Sequence, residues 1–361
     1  MKRVVFGALA ALSLCGCAGR EPLPRPQEMG QLALVRIVGV DAAEEGAEMT
    51  VSTGARGQRE ALRTSAAGES VSAAAKRAES GGESRLFFGH ADKLILGESA
   101  AETMLTRVVD YLYRSRDYGL GAQVWVVRDG TARQAIETDS GAEIALRLDL
   151  LGAEGEQGQT TLDCTVMELA RAIAEGGSIC LPALSVDETG TLSRAGYAVV
   201  RAGTAVCFID GDAALGLELL FGRGEGRVDT MTLPDGTAAA LSLGRVRVRL
   251  TPEFAEDAPT GLDVRLDLPM RVAQCARPLT EGELVWIERE AGILEGQRVV
   301  ETLELAQYWD ADFAAMLDKA CAGDPLRSAR LKEEWAGAFR GLDLRVQTHC
   351  AVERTKDVTG R

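Results

Sequence analysis

The chain has 361 residues, with 40 lysines and arginines against 54 aspartates and glutamates, which gives a formal charge of −14 at pH 7. Hydrophobic residues make up 46% of it, an ordinary globular composition that excludes a disordered or collagen-like chain and, at this length, predicts several domains. The acidic surplus argues against a nucleic-acid partner and against a polybasic membrane-binding surface. Only two histidines, His90 and His349, are present, which excludes most zinc enzymes and catalytic triads.

The N-terminus has the pattern of a secretory signal. Two basic residues, Lys2 and Arg3, precede an apolar run, Val4–Leu14, that is too short to span a bilayer. We therefore predict a signal peptide over residues 1–16.

The apolar run ends in Leu14-Cys15-Gly16-Cys17, which resembles a bacterial lipobox. Cleavage before Cys17 leaves a small glycine at the last position, as the signal peptidase requires. Cleavage before Cys15 would leave a bulky leucine there. The pattern predicts that Cys17 is lipidated, and the alternative is an ordinary secretory signal with two incidental cysteines.

The segment after the predicted anchor reads as a tether. Three prolines stand in Glu21–Gln27, which is typical of a stiff linker, and we assign residues 17–28 to the lipidated cysteine and this tether. Loss of the signal peptide leaves 38 basic and 54 acidic residues, a charge of −16. No later stretch is long and apolar enough for a transmembrane helix. The sequence predicts an acidic, extracytoplasmic protein bound to the membrane by its lipid.

Six further cysteines are present, and in an exported protein they could form three disulfides. They are Cys164, Cys180, Cys207, Cys275, Cys321 and Cys350. None lies in a CxxC pair, and each has apolar neighbours, so we favour reduced thiols that pack as small hydrophobic residues. Metal binding is not indicated, because no clustered partners accompany them.

Residues 29–185 alternate between strand and helix patterns, which predicts an N-terminal domain of sheet and helices. Strands are expected within Leu32–Val40, at Met49–Thr53, over Leu86–Leu96 and at Gln123–Val127. Helices are expected at Val71–Glu79 after a Ser70 cap, after a capping box at Ser99 and Glu102, at Thr131–Glu137, and after a capping box at Thr165 and Glu168.

Residues 186–241 are predicted to form a small middle domain. Tyr197–Arg201 and Ala205–Ile209 have the pattern of a hairpin. The glycines of Gly222–Gly226 resemble a phosphate-binding loop, but the Lys-Ser/Thr of a P-loop is missing. A surface turn is the favoured interpretation.

Residues 242–361 are predicted to form a C-terminal α+β domain, in which long helices cover an antiparallel sheet, and to fold independently from about residue 241. Arg245–Leu250, Leu262–Val272 and Leu342–Glu353 alternate with period 2, the pattern of strands with one exposed face. Arginines and acidic residues on that face are expected to form cross-strand ion pairs. Pro269 is expected at an edge or a bulge, because it has no N–H to donate.

Two helices are predicted to cover this sheet. The first follows a capping box at Thr280 and Glu283, with a Leu279–Leu284 hydrophobic staple. The second begins at Asp324-Pro325 and should bury Leu331, Trp335 and Phe339. The fold class is thus α+β, a mixed and multidomain chain.

Catalytic motifs are absent from the sequence: we find no Gly-x-Ser-x-Gly elbow, HExxH, P-loop or Rossmann fingerprint. His349 falls on the predicted exposed face of a strand. His90 is a lone histidine without a nucleophile, and such a residue is more often structural, here hydrogen-bonded at a strand kink after Gly89. We predict a non-enzymatic protein without catalytic residues, cofactor or metal.

The segment Phe87-Phe88-Gly89-His90, followed by Leu94-Ile95-Leu96-Gly97-Glu98, resembles the hallmark stretch of the Ger(x)C family of spore germination lipoproteins. Other similar motifs occur in the family's order, at Val38-Gly39-Val40-Asp41, Leu181-Pro182, Gly196-Tyr-Ala-Val-Val200, and Gln307 with Asp312. Two departures are Ala18 where the family has Trp after the lipidated cysteine, and only a loose final Ile-x-x-x-Gly turn in Val352–Gly360.

The resemblance implies a three-domain mixed α/β protein on the outer leaflet of the spore's inner membrane. It also implies two integral-membrane partners, the receptor subunits A and B, and a role in nutrient-triggered germination. Gly89 and His90 carry over only as family-pattern residues with an expected structural role. The alternative is an extracytoplasmic solute-binding lipoprotein of a transporter, but such proteins have two similar doubly wound lobes, unlike the alternating C-terminal third.

Overall fold

The computed structural model describes residues 32–53, 61–81, 84–115, 117–138, 143–152, 162–255, 258–321 and 325–354. The predicted signal peptide, Cys15, Cys17 and the tether lie outside the described residues, and so does Asp324.

Fifteen strands are present in the described part of the chain. They are β1 Leu32–Leu34, β2 Ile37–Ala43, β3 Gly46–Ser52, β4 Arg63–Gly68, β5 Arg85–Phe87, β6 Lys93–Gly97, β7 Gln123–Val127, β8 Ser178–Val186, β9 Leu192–Arg201, β10 Thr204–Ile209, β11 Val228–Thr232, β12 Ala238–Leu243, β13 Arg247–Ala255, β14 Ala258–Cys275 and β15 Asp343–Val352.

The described residues also include ten α-helices and two 3₁₀ turns. The helices are α1 Val71–Ser80, α2 Glu98–Thr103, α3 Leu105–Arg114, α4 Ala132–Thr138, α5 Glu143–Gly152, α6 Val166–Ala174, α7 Gly211–Leu220, α8 Glu281–Tyr308, α9 Met316–Ala320 and α10 Pro325–Ala338, and the turns are Phe88–His90 and Phe339–Gly341.

An eight-stranded mixed sheet organises the first half of the molecule, in the order β10-β9-β8-β7-β6-β2-β3-β4. The four central strands are parallel, and antiparallel hairpins extend the sheet at both sides. Separate clusters of buried apolar residues cover its two faces. Burial on both faces explains the nearly continuous apolar runs of the central strands.

The start of α2 differs from the prediction. The helix begins at Glu98, directly after β6, and its N-cap is Gly97, so Ser99 and Glu102 lie inside the helix and form no capping box. The chain passes from strand to helix without a loop, which leaves no position for a side-chain cap. The capping boxes at Thr165 and Thr280 are confirmed, as is the Ser70 cap.

The sheet topology corrects the prediction of a separate middle domain. The predicted hairpin is present as β9 and β10, but it completes the eight-stranded sheet by pairing with β8. The later strands, β11 and β12, belong to the C-terminal sheet. Whether a strand of residues 186–241 joins the first or the second sheet depends on pairing with distant segments. The local sequence pattern does not indicate that pairing.

The C-terminal sheet has five strands, with β14 at its centre. β14 pairs with β12 and β13 in succession along one edge, and with β15 along the other. The β14–β15 pair is parallel, so the predicted antiparallel sheet is in fact mixed. Pro269 lies where the pairing of β14 changes from β13 to β12, and its carbonyl accepts the N–H of Gly244 at 2.7 Å. It therefore occupies a break in the ladder, as expected.

The long helix α8 packs on β15 through two glycines. A β-carbon at Gly292 or Gly296 would lie 3.4–3.5 Å from atoms of the Thr348 side chain. The hydroxyl of Thr348 donates to the carbonyl of Gly292 at 2.7 Å. The absence of side chains at these positions lets the helix approach the strand closely.

The helix α7 connects the two sheets by crossing α8. A β-carbon at Gly216 would lie only 2.1 Å from the carbonyl oxygen of Arg298, so the two helix backbones are in direct contact there. Thr302 donates to the carbonyl of Ala213 at 2.7 Å across the same crossing. One core cluster includes residues of β9, α7, α8 and the C-terminal sheet. The two sheets therefore share packed residues and are not separate units joined by a linker.

No disulfide joins the six cysteines of the described residues, as predicted. Cys164, Cys180, Cys321 and Cys350 are buried, whereas Cys207 and Cys275 are partly buried. Burial raises the pKa of Cys207 to about 11 and that of Cys350 to about 12. These thiols are consequently protonated at neutral pH and pack as small apolar groups.

Candidate functional site

The motif Phe87-Phe88-Gly89-His90 forms an exposed turn between two strands. The predicted continuous strand over Leu86–Leu96 is interrupted here by the 3₁₀ turn Phe88–His90. The side chains of Phe87 and His90 are both exposed, and their rings meet edge-on with centroids 5.8 Å apart. The kink predicted at Gly89 is present, but the His90 imidazole faces solvent and has no hydrogen-bond partner among the described residues.

Gly89 leaves room for the ring of Phe87 in its present position. A β-carbon at Gly89 would lie 2.8 Å from that ring, closer than side chains approach. The glycine thus allows Phe87 to lie against the turn, with its ring still 43% exposed to solvent.

The middle residue of the turn, Phe88, is buried and holds the turn to the core. Its ring packs on that of Tyr118, with centroids 4.7 Å apart. The hydroxyl of Tyr118 points to the sulfur of Met49 at 3.7 Å, and burial raises the pKa of this tyrosine far above its usual range. One aromatic residue therefore anchors the turn, and the neighbouring Phe87 and His90 are left on the surface.

The turn lies beside the first described residues of the chain. β1 runs parallel to β5, with Leu34 opposite Phe87, and the N–H of Val35 donates to the carbonyl of Phe87 at 2.9 Å. After the turn, Arg36 pairs with Asp92. The exposed aromatic turn is thus held next to the point where the described chain begins.

The motif Val38-Gly39-Val40-Asp41 has an internal, structural role. The buried carboxylate of Asp41 accepts the N–H groups of Ala132 at 2.7 Å and Arg133 at 2.9 Å, which fixes the start of α4. Burial raises the pKa of Asp41 above its ordinary value, while the two backbone donors oppose this. A β-carbon at Gly97 would be 2.1 Å from this carboxylate, so the glycine of the hallmark stretch makes room for it.

The glycine-aromatic motif of β9 leads to a buried polar cluster. The Tyr197 hydroxyl donates to Glu218 of α7 at 2.9 Å, and Arg194 donates to the same carboxylate oxygen at 2.6 Å. The Tyr197 hydroxyl also accepts the N–H of Leu162 at 3.0 Å. The cluster joins the eight-stranded sheet to α7 and so helps to fix the two sheets together.

The motif residues Gln307 and Asp312 fasten the end of α8 to the last helix and strand. The Gln307 amide donates to the carbonyls of Phe339 at 3.1 Å and Leu342 at 2.8 Å. The Asp312 carboxylate accepts from the indole of Trp335 at 3.1 Å. Most family-pattern residues therefore maintain the architecture, whereas Phe87 and His90 of the turn are exposed.

No group of three or more His, Cys, Asp or Glu side chains among the described residues could hold a metal ion. His349 lies exposed on β15, as predicted, and far along the chain from the turn that holds His90. Within the same residues, no helix has the length and apolar character needed to cross a bilayer.

Comparison with known proteins identifies the domain type of the N-terminal region. Residues 25–186 match the family described as the spore germination protein N-terminal domain. This region contains the aromatic turn, the Asp41 motif and most of the eight-stranded sheet. No curated protein matches the chain.

A solved structure carries the same fold. The chain is similar to the protein in the structure entitled "Crystal Structure of the GerBC protein", with a TM-score of 0.60 and 12% sequence identity, over 88% of this chain and 97% of that one. The domain match and the shared α+β fold together support the assignment of this chain to the Ger(x)C family of spore germination proteins.

Proposed function

We propose that the chain is a lipid-anchored, non-enzymatic subunit of a spore germinant receptor, which acts with the membrane subunits A and B in nutrient-triggered germination. The observation that carries the proposal is the match of residues 25–186 to the spore germination protein N-terminal domain. The lipobox-like Leu14-Cys15-Gly16-Cys17 directly before this region supports the membrane anchor.

The arrangement of the described residues suits a protein that works by contact. Its motif residues stabilise the fold, apart from the turn at residues 87–90, which presents two aromatic rings to solvent. Exposed aromatic residues next to a buried anchor are typical of protein interfaces. We assign the exposed ring of Phe87 in this turn to contact with a receptor partner. The proposed function involves no cofactor, no metal and no nucleic acid.

The fold gives no support to the alternative of a solute-binding lipoprotein. A solute binder closes two similar lobes over its ligand. Here the first sheet has eight strands with a parallel centre, and the second has five strands in a different order. The two halves also share a packed core at the α7–α8 crossing, which leaves no hinged cleft between like lobes.

The anchor is tested with Cys17→Ala, with Cys15→Ala as the matched control. The lipid would supply about 0.8 kcal/mol for each buried methylene, and two chains give stable anchoring. We expect Cys17→Ala to release the protein from the membrane fraction and to weaken germination by nutrients, while germinants that bypass receptors still act. Cys15→Ala should change neither result. Release by Cys15→Ala alone would refute the assignment of Cys17.

The partnership is tested by affinity purification of the tagged, full-length chain from detergent-solubilised spore membranes. We expect subunits A and B to co-purify with the wild-type chain. Their absence, with a transporter permease and ATPase recovered instead, would overturn the proposal in favour of the solute binder.

A further inference from the structure

The outer face of the C-terminal sheet carries a group of exposed arginines. Arg247 and Arg249 of β13 and Arg265 and Arg271 of β14 stand on this face, and we call these four residues the arginine face. Arg245 is exposed in the adjoining link between β12 and β13. The inner face of the same strands packs against α8 and is apolar, so the arginines are the solvent-facing half of an alternating pattern.

Three acidic residues of this sheet contact a single arginine at its other end. Arg345 of β15 pairs with Asp263 at 2.8 Å and with Asp343 at 3.6 Å, and it also contacts Glu253. The expected cross-strand ion pairs are present for Arg345, with Asp263 and Glu253, whereas Arg247 and Arg249 form none with the described residues. Two exposed acids remain beside the arginine face: Asp267 opposite Arg247, and Glu353, whose N–H donates to the carbonyl of Met270.

The four arginines of the arginine face form no ion pair with the acids beside them. None of its four side chains has a hydrogen bond or ion pair with another described residue. Arg249 and Arg265 stand directly opposite each other in the β13–β14 register. Like charges in directly opposed positions destabilise a sheet. An anion bound between Arg249 and Arg265 would reduce this repulsion and stabilise the sheet.

We propose that the arginine face binds the phosphates of an anionic phospholipid surface. The arginine guanidinium donates two parallel N–H hydrogen bonds to a phosphate, so arginine suits this ligand better than lysine. The four residues are spread over two strands, with Arg249 and Arg265 about 4.8 Å apart across the sheet and Arg265 and Arg271 roughly 20 Å apart along β14. This spread fits an array of phosphates better than a single bound anion.

The charge of the whole chain, −14, does not oppose this contact. At physiological salt the field of an exposed charge is screened within about 8 Å, so the local surplus of arginine decides what binds to this face. The overall composition predicts no basic surface, but the charges are segregated on the folded sheet.

The inference rests on the proposed membrane location. Fifteen positions separate Cys17 from Leu32, a span of at most about 50 Å. A tether of this length keeps the protein close to the bilayer. The effective concentration of lipid phosphates at the arginine face is therefore high, and the face binds them even if its intrinsic affinity is weak. The arginine face would then set which side of the protein faces the lipid.

The test is flotation of the mature chain, expressed from residue 18 without lipid, with vesicles. Vesicles of phosphatidylcholine with phosphatidylglycerol are compared with phosphatidylcholine alone. We expect binding to the anionic vesicles only, lost at high salt. Arg249→Gln with Arg265→Gln should lower it about 25- to 30-fold, because each arginine near the surface contributes roughly a factor of five.

The matched control is Arg107→Gln with Arg223→Gln, which removes the same charge from exposed arginines outside the sheet. It should retain binding. An equal loss of vesicle binding in both double variants, or no binding of the wild-type chain, would overturn the proposal. Binding only to vesicles that contain subunits A and B would also overturn it, because the arginine face would then bind a protein partner. The germination assay of Cys17→Ala does not depend on this result, so failure of either proposal is visible separately.

Discussion

The indole N–H of Trp335 donates a hydrogen bond of 3.1 Å to the carboxylate of Asp312, which also accepts the backbone N–H groups of Met316 at 2.8 Å and Leu317 at 3.1 Å. One side chain thereby starts α9 and holds α10 in place. Through Gln307 and Asp312, the end of α8 is therefore hydrogen-bonded to α10 and to the turn before β15.

We expect Trp335→Phe to lower the free energy of unfolding by about 1 kcal/mol, because the ring remains packed and one hydrogen bond is lost. Asp312→Ala should cost about 2–4 kcal/mol, because three donors lose their acceptor. Chemical denaturation measures both. Trp286→Phe is the control, since that indole is only partly buried and has no hydrogen-bond partner among the described residues. Equal costs at the two tryptophans would contradict this role of Asp312.

Lys319 predicts a pH dependence of stability. Its ammonium lies 3.3 Å from the centroid of the Phe221 ring and donates to the carbonyl of Ala314 at 2.6 Å. Burial lowers the pKa of Lys319 to about 8 from 10.5. Between these two values the unfolded chain binds more protons than the folded one, so this group adds stability as the pH rises from 8 to 10.5.

The comparison of Lys319→Met with the wild type isolates this effect, because methionine keeps the apolar stem and cannot titrate. At pH 7 the variant should be the more stable protein, by at most about 3 kcal/mol. Its advantage should shrink steadily above pH 8 in denaturation curves measured at several pH values. Parallel curves for the two proteins would show that the lysine is not perturbed.

Gly97→Ala is expected to destabilise the first sheet. The new methyl group would lie 2.1 Å from the carboxylate of Asp41, which must then leave the start of α4. Overpacking together with the loss of the cap should cost about 2–4 kcal/mol in thermal denaturation. Gly282→Ala, at the exposed start of α8 with nothing near it, should be neutral or slightly stabilising. A neutral Gly97→Ala would mean that the carboxylate has another position.

The aromatic turn predicts opposite results for adjacent residues. His90 is exposed, so His90→Asn should change the free energy of unfolding by less than about 0.5 kcal/mol and leave spores responsive. Phe88→Ala should cost about 3–5 kcal/mol, because its ring is buried against Tyr118. Loss of the nutrient response in His90→Asn, at normal protein level, would give His90 a direct role in signalling.

The shared strands change the expectation for isolated fragments. A fragment that begins at residue 242 lacks β11 and most of β12, and should bind apolar dyes without a cooperative transition. A fragment that begins at residue 211 keeps both strands and α7, and should unfold cooperatively in calorimetry. Cooperative unfolding of the shorter fragment would restore the boundary predicted from the sequence.

Local signals were sufficient wherever a few neighbouring residues decide the structure. The capping boxes at Thr165 and Thr280 are confirmed. So is the burial of Leu331 and Trp335 in α10, and of Phe339 in the 3₁₀ turn that follows it. The parallel pairing of β15 and the division of residues 186–241 between two sheets depend on contacts between distant segments. No pattern within a window of ten or twenty residues contains that information.

In the candidate site, too, some features could be predicted from the sequence and others depend on distant contacts. The resemblance identified Gly89 and His90, and the kink at this position follows from the glycine. The exposure of the Phe87 and His90 rings depends on Phe88 reaching Tyr118, 30 positions away in sequence, so it could not be predicted locally. The alternation of β13 placed Arg247 and Arg249 on one face, but only the register with β14 put Arg265 opposite Arg249.

The parallel pair of β14 and β15 has a consequence for how the protein reaches its final state. Asp263 and Arg345, partners in this pair, are 82 residues apart in the chain, and three helices lie between the two strands. Contacts of such long range slow folding, because the intervening chain must be closed into a loop before they form. In a chain that emerges from its N-terminus, β15 follows β14 and the helices between them, so the second sheet stays incomplete until β15 is available. Until then the apolar edge of β14 is open to chaperones, to proteases and to other copies of the chain.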